Sequence, residues 1–100
     1  MANELIAKMK KGDKNAIISG LSHNGAIYRM NAISFSALHN IQDADVKKKI
    51  TELTDDDISL DTYSVSDFAY AALDVMGIAL YKGNSDSVKR LIESKFEFLK

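Results

Sequence analysis

Cysteine is absent from this chain of 100 residues, and so is proline. The first absence removes disulfides, thiol nucleophiles and cysteine metal sites. The second leaves glycine as the main punctuation, and there are only five copies. Gly12, Gly25 and Gly83 each stand where a helix should stop or start. No apolar run approaches the roughly 20 residues that a membrane span requires. The opening Met1-Ala2-Asn3-Glu4-Leu5 holds no apolar stretch of a secretory signal, so a cytoplasmic location is expected. What is present is an ordinary globular composition, 46% hydrophobic and 27% charged. That suffices for one domain over residues 1–100 with a modest core.

The net charge of −1 conceals an asymmetry: the first fifty residues carry eight Lys/Arg against four Asp/Glu, the last fifty carry five against ten. Such polarity can orient a charged partner; the plainer meaning is two solvated faces of opposite sign.

Apolar spacing predicts helices throughout. Residues 3–11 place Leu5, Ile6 and Met9 on one stripe, closed by Gly12. Asp13 caps a short helix whose Ile17, Ile18 and Leu21 point inward. Ser22–Gly25 is a turn, and a long helix over 26–41 follows with two apolar stripes. One stripe holds Met30, Ile33, Ala37 and Ile41; the other holds Tyr28, Ala32, Phe35 and His39. Only Arg29, Ser36 and Asn40 form a polar strip, so this is a middle helix packed on two sides. Asp43 or Asp45 caps a helix over 44–54, with Val46, Ile50 and Leu53 inward and Lys47–Lys49 outward. An acidic loop spans 55–63. A helix over 64–82, capped by Ser64 or Ser66, carries Ala69, Ala71, Ala72, Gly77 and Ala79, small enough for close helix approach. The last helix, about 85–97, buries Val88, Leu91, Ile92 and Phe96. No useful strand alternation is present, so the expected class is all-α with about six helices.

Residues 26–50 and 64–92 share one pattern at a spacing of about 40. A shift of 38 sets Ile27, Met30, Ile33, Phe35, Ala37, Leu38 and Ile41 over Val65, Phe68, Ala71, Leu73, Val75, Met76 and Ala79. A shift of 42 pairs Val46 with Val88 and Ile50 with Ile92. The difference is about one helical turn, which predicts that the second long helix runs one turn longer. Repeats of this period imply antiparallel helical hairpins stacked side by side.

The run Leu21-Ser22-His23-Asn24-Gly25-Ala26-Ile27-Tyr28-Arg29-Met30-Asn31-Ala32, followed by Ala37-Leu38, Ile41, Asp43 and Val46, resembles a HEAT-repeat protein. The likeness covers residues 13–54 well and 55–97 loosely. In the second copy Asp67 occupies the slot of Arg29, which departs from the family's arginine ladder. The resemblance implies a short α-solenoid that binds a protein partner along the second helix of each hairpin. The residues implied for contact are Arg29, Ser36, Asn40, Asp67, Tyr70, Asp74 and Tyr81; the bland alternative is a solvated edge.

Other chemistry is thinly represented. Asp55, Asp57, Ser59 and Asp61 alternate as in the start of a calcium loop. Leu60 stands where that loop needs glycine and Ser66 where it needs glutamate, so a solvated acidic loop is expected. His23 and His39 show no metal-ligand spacing, and Ser22 beside His23 is not thereby a nucleophile–base pair. Lysines 8, 10, 11, 14 and 47–49 could form a basic patch for nucleic acid, without interleaved aromatics. Of Phe96 and Phe98, one is expected inside and the other less so. The expectation is therefore a non-enzymatic protein-binding module without cofactor. The alternatives are a small inhibitor or immunity-type protein whose acidic half meets a basic target, and nucleic-acid binding through the lysine-rich half.

The predicted faces make a stability test. In urea titrations, Ile33→Ala or Leu73→Ala should cost about 2–5 kcal/mol, and Asn40→Ala or Asp74→Ala less than about 0.5 kcal/mol.

Overall fold

A helix that starts at Ala2 and stops after Lys10 opens the chain (α1, Ala2–Lys10). The computed structural model describes residues 2–100; Met1, where the N-terminal stretch read above begins, lies outside them. Asp13 then takes an extended backbone and accepts the Ala16 N–H at 3.1 Å, capping α2 (Lys14–Leu21). The next helices are α3 (Ala26–Leu38) and α4 (Ala44–Glu52), the latter capped by Asp43 through the Asp45 and Val46 amides. After a 3₁₀ turn at Leu53–Asp55 come two short strands, β1 (Ser59–Leu60) and β2 (Tyr63–Ser64), then α5 (Val65–Val75) and α6 (Asp86–Ser94). A second 3₁₀ turn, Glu97–Leu99, ends the described elements. The all-α expectation holds, with one addition: the acidic loop folds into an antiparallel ribbon that pairs Leu60 with Tyr63 and Ser59 with Ser64.

Local chemistry explains the starts. Ser64 Oγ accepts the Asp67 amide while Asp67 Oδ2 accepts the Ser64 amide, a reciprocal capping box. Ser85 Oγ accepts the Val88 amide at the head of α6.

The ends depart from the spacing argument. α5 was expected to run to residue 82 and to outlast α3; it has 11 residues against 13. Gly77, at φ +73°, turns the chain left-handed, and the Gly77 and Ile78 amides bond back to the Asp74 and Leu73 carbonyls. This is a Schellman stop, which satisfies carbonyls that otherwise lack partners. Asn40, at φ +50°, ends α3 in the same way, with Asn40 and Ile41 bonding to Ala37 and Ser36. The two stops share a geometry, and Gln42 Nε2 ties them together by donating to Asn40 Oδ1 (2.6 Å) and to the Met76 carbonyl (3.1 Å). Ala79 therefore lies in an exposed loop, and α6 ends at Ser94 where Lys95 and Phe96 both take positive φ.

α3 packs against α2 and α5, and α4 packs against the same two helices. α1 covers α2 and α3, α6 lies on α5, and the final 3₁₀ turn returns to α3. α3 is the middle helix the two stripes required: residues 32–37 are all buried. Ser34 and Ser36 donate to the Met30 and Ala32 carbonyls, so their hydroxyls are satisfied within the helix. Gly20 permits the crossing of α1, α2 and α3, since a Cβ there would stand 2.6 Å from Met9 Sδ and 2.9 Å from Ala32 Cβ. Of the core residues expected from spacing, Ile17, Leu21, Ile33, Val46, Ile50, Val88, Leu91 and Phe96 are buried, while Ile18, Leu53 and Ile92 are half-buried at its edge. Lys14 Nζ reaches Asp43 Oδ2 at 3.2 Å and joins the starts of α2 and α4. That ammonium, with the Val46 and Asp45 amides, holds the Asp43 carboxyl below its ordinary value of 3.8. A lowered carboxyl favours the fold above its unfolded value, and the contribution is lost as pH falls through the folded-state value.

The stops generate a prediction that replaces the small effect expected for Asn40. Gly77→Ala and Asn40→Ala should each cost roughly 1–2 kcal/mol, because a Cβ is disfavoured in the left-handed region. Asn40→Gly should cost less than Asn40→Ala in the same thermal or urea titration, since it keeps the left-handed backbone and loses only the Gln42 bond.

Candidate functional site

The residues after Gly77 do not drift into solvent; they fold back beside α5. Asp74 Oδ2 accepts the Tyr81 amide at 2.9 Å, and Tyr81 Oη accepts the Ser85 amide at 3.0 Å. The Tyr81 ring lies 5.7 Å from the Tyr70 ring at an interplanar angle of 54°. A Cβ at Gly83 would collide with the Tyr81 ring, so glycine is what lets the chain pass. The result is a groove of about 500 Å³. Thr51 and Thr54 form one wall, Tyr70 and Leu73 line it from α5, and residues 79–83 close the other side.

The lining is mostly apolar in character. Both threonine hydroxyls are donated to backbone carbonyls, Thr51 to Lys47 and Thr54 to Thr51. Leu80 is 75% exposed and Tyr70 40% exposed, so the groove presents a free aliphatic tip beside a fixed aromatic pair. Lys82 is the one charged residue that lines it. Beside it the lining offers the Tyr70 and Tyr81 rings, the two threonines and the apolar Leu73, Ala79 and Leu80.

Of the seven residues implied for contact, Tyr70, Asp74 and Tyr81 come together here, Asp74 as the brace behind Tyr81. The others are dispersed. Ser36 is a correction: it is 0% exposed, because α3 is enclosed by its neighbours, and it presents nothing to a partner. Arg29 is also committed inward. Its Nε reaches Asp56 Oδ2 at 2.9 Å, and its Nη1 donates to the carbonyls of His23 (2.7 Å) and Asn24 (2.8 Å). Its side chain is 13% exposed, and it staples the turn before α3 to the loop after α4. Asp67 is held in its capping box and Asn40 forms the α3 stop. No continuous polar strip runs along α3 and α5.

The remaining candidates resolve into local roles. His23 Nδ1 accepts the Gly25 amide at 2.9 Å and its ring lies 4.2 Å from Tyr28. His39 Nε2 lies 2.7 Å from the Lys10 carbonyl. Among the described residues no group of three His, Asp or Glu is placed to hold a metal ion. Two of the lysines are paired, Lys14 with Asp43 and Lys49 with Glu52. Phe96 is fully buried and Phe98 is 58% exposed, as their alternation implied. Sequence reasoning missed Asp56, Thr51, Thr54 and Leu80. Only Leu80 left a signal, since recognising Gly77 as a stop frees the residues behind it from the helix.

Arg29→Met should cost about 1.5–3 kcal/mol in urea unfolding, the scale of hydrogen bonds to a charged group. Asp56→Asn should cost less, and the double variant less than the sum of the two, because they share one interaction. Asp74→Ala, first read as featureless surface, should cost about 1 kcal/mol through the stranded Tyr81 amide. No family model, curated protein or solved structure matches this chain.

Proposed function

We propose that this protein is a non-enzymatic helical module that binds another protein through the groove between α4, α5 and residues 79–83. The observation that carries the reading is the conjunction at one place of Tyr70, Tyr81 and Leu80, the last three-quarters exposed. Aromatic side chains held in fixed positions bind at low entropic cost, and contact energy concentrates on such anchors. The bracing of Tyr81 by Asp74 and Ser85 supplies that fixity before any partner arrives. An inhibitor or immunity-type role is a special case of this module, in which the partner is a single cognate protein. Binding of nucleic acid draws less support, since Lys14 is already neutralised by Asp43.

The test compares three forms immobilised on a support and challenged with lysate of the source cell: the native chain, Leu80→Asp, and Glu93→Ala. One protein should be retained by the native chain and by Glu93→Ala, and lost with Leu80→Asp. Retention by all three forms, or by none, would remove the groove as the contact site.

A further inference from the structure

The acidic loop contains a feature that its composition did not disclose: an open strand edge. β1 and β2 pair Leu60 with Tyr63 and Ser59 with Ser64, and the Val65 amide donates to the Ile58 carbonyl at 2.9 Å. In an antiparallel ladder hydrogen-bonded and non-hydrogen-bonded pairs alternate. Ile58 opposite Val65 is hydrogen-bonded, so Ser59 opposite Ser64 is not. The Ser64 amide agrees, for it turns away from β1 to Asp67 Oδ2. The amide and carbonyl of Ser59 therefore point outward from the ribbon, where a further strand would lie. Both residues of β1 are exposed.

The side chains state what that strand should carry. Ile58 is 51% and Leu60 38% exposed, and alternation puts both on one face of the strand. Asp57 and Ser59 fall on the other side, and Asp61 follows in the turn at φ +58°. Neither the Asp57 nor the Asp61 carboxylate is engaged by a cation among the described residues. A second copy is a poor occupant: antiparallel pairing centred on Ser59 would bring Asp57 of one chain towards Asp61 of the other, and like charges opposite each other are destabilising. The same carboxylates guard the edge against aggregation and select for the opposite sign.

We infer that β1 is a docking edge for an extended segment of a partner protein that alternates cationic and apolar residues. Backbone bonds at Ser59 supply register, Ile58 and Leu60 receive the apolar side chains, and Asp57 and Asp61 receive the cations. This surface is separate from the Tyr70–Tyr81 groove and does not depend on it.

The test uses a short synthetic peptide of alternating lysine and valine, and the same peptide with its pairing amides N-methylated. The first should bind the intact chain, shift the Ser59 amide resonance and slow its hydrogen exchange. The N-methylated peptide, equal in charge, should not. Asp57→Asn with Asp61→Asn should weaken binding by roughly two- to thirty-fold, as expected for losing two cross-strand charge pairs. Leu80→Asp should leave it unchanged. Equal binding of both peptides, an unaltered Ser59 amide, or dependence on Leu80 would each overturn the inference.

Discussion

Burial of α3 on every side is the constraint that organises this molecule. Its residues 32–37 carry Ala, Ile, Ser, Phe, Ser and Ala, and all six are buried. One neighbouring helix cannot enclose such a segment; α1, α2 and α5 together do. The two serines are compatible with that enclosure because each hydroxyl is spent on the carbonyl four residues back. Gly20 admits the closest approach from α2, where any side chain would strike Met9 and Ala32. The helices α4 and α6 follow, since α5 needs cover on the flanks that α3 leaves open.

Given that arrangement, the loops become structural members. Arg29 joins the turn before α3 to the loop after α4 through Asp56, while Gln42 joins the stops of α3 and α5. Asp56 also accepts the Ile58 amide and, through its carbonyl, the Ser66 amide at 2.7 Å, which sets the ribbon at the head of α5. A charged side chain consumed in this way is unavailable as a contact residue. Arg29 and Ser36 are therefore enclosed, although helix spacing reads them as part of an outward polar strip. Leu80 in the 79–83 segment and Ile58 and Leu60 at the acidic ribbon are exposed apolar side chains where the chain departs from helix. Loops positioned by a rigid frame are where binding groups commonly sit.

α3 and α5, the two long helices that the spacing sets in register, lie against each other, whereas α4 and α6, their expected followers, are not among the helix pairs in close contact. α6 rests on α5, and the chain then returns across α3. The extents of 37 × 27 × 25 Å and a radius of gyration of 12.0 Å describe a rounded body. A globular chain of this length has a radius of about 13 Å.

Much of the fold was legible residue by residue. The cap at Asp13, the choice of Asp43 or Asp45 and of Ser64 or Ser66 as caps, the inward stripes of α2, α4 and α6, and the two apolar stripes of α3 all follow from residue types and spacing within a few residues along the chain. The stop at Gly77 was equally local but was masked by the apolar Ile78, Ala79 and Leu80, which continue a helical pattern on paper. Ser36 looked like surface because polarity was read as exposure; its burial depends on helices distant in sequence. Arg29 with Asp56, Tyr81 with Tyr70, and the outward edge of β1 join residues whose separation carries no periodic trace. Short-range hydrogen bonding and apolar spacing thus set where helices begin and which sides they bury. Which polar groups stay free for a partner was decided only by packing, because each long-range contact consumes groups that composition alone cannot distinguish.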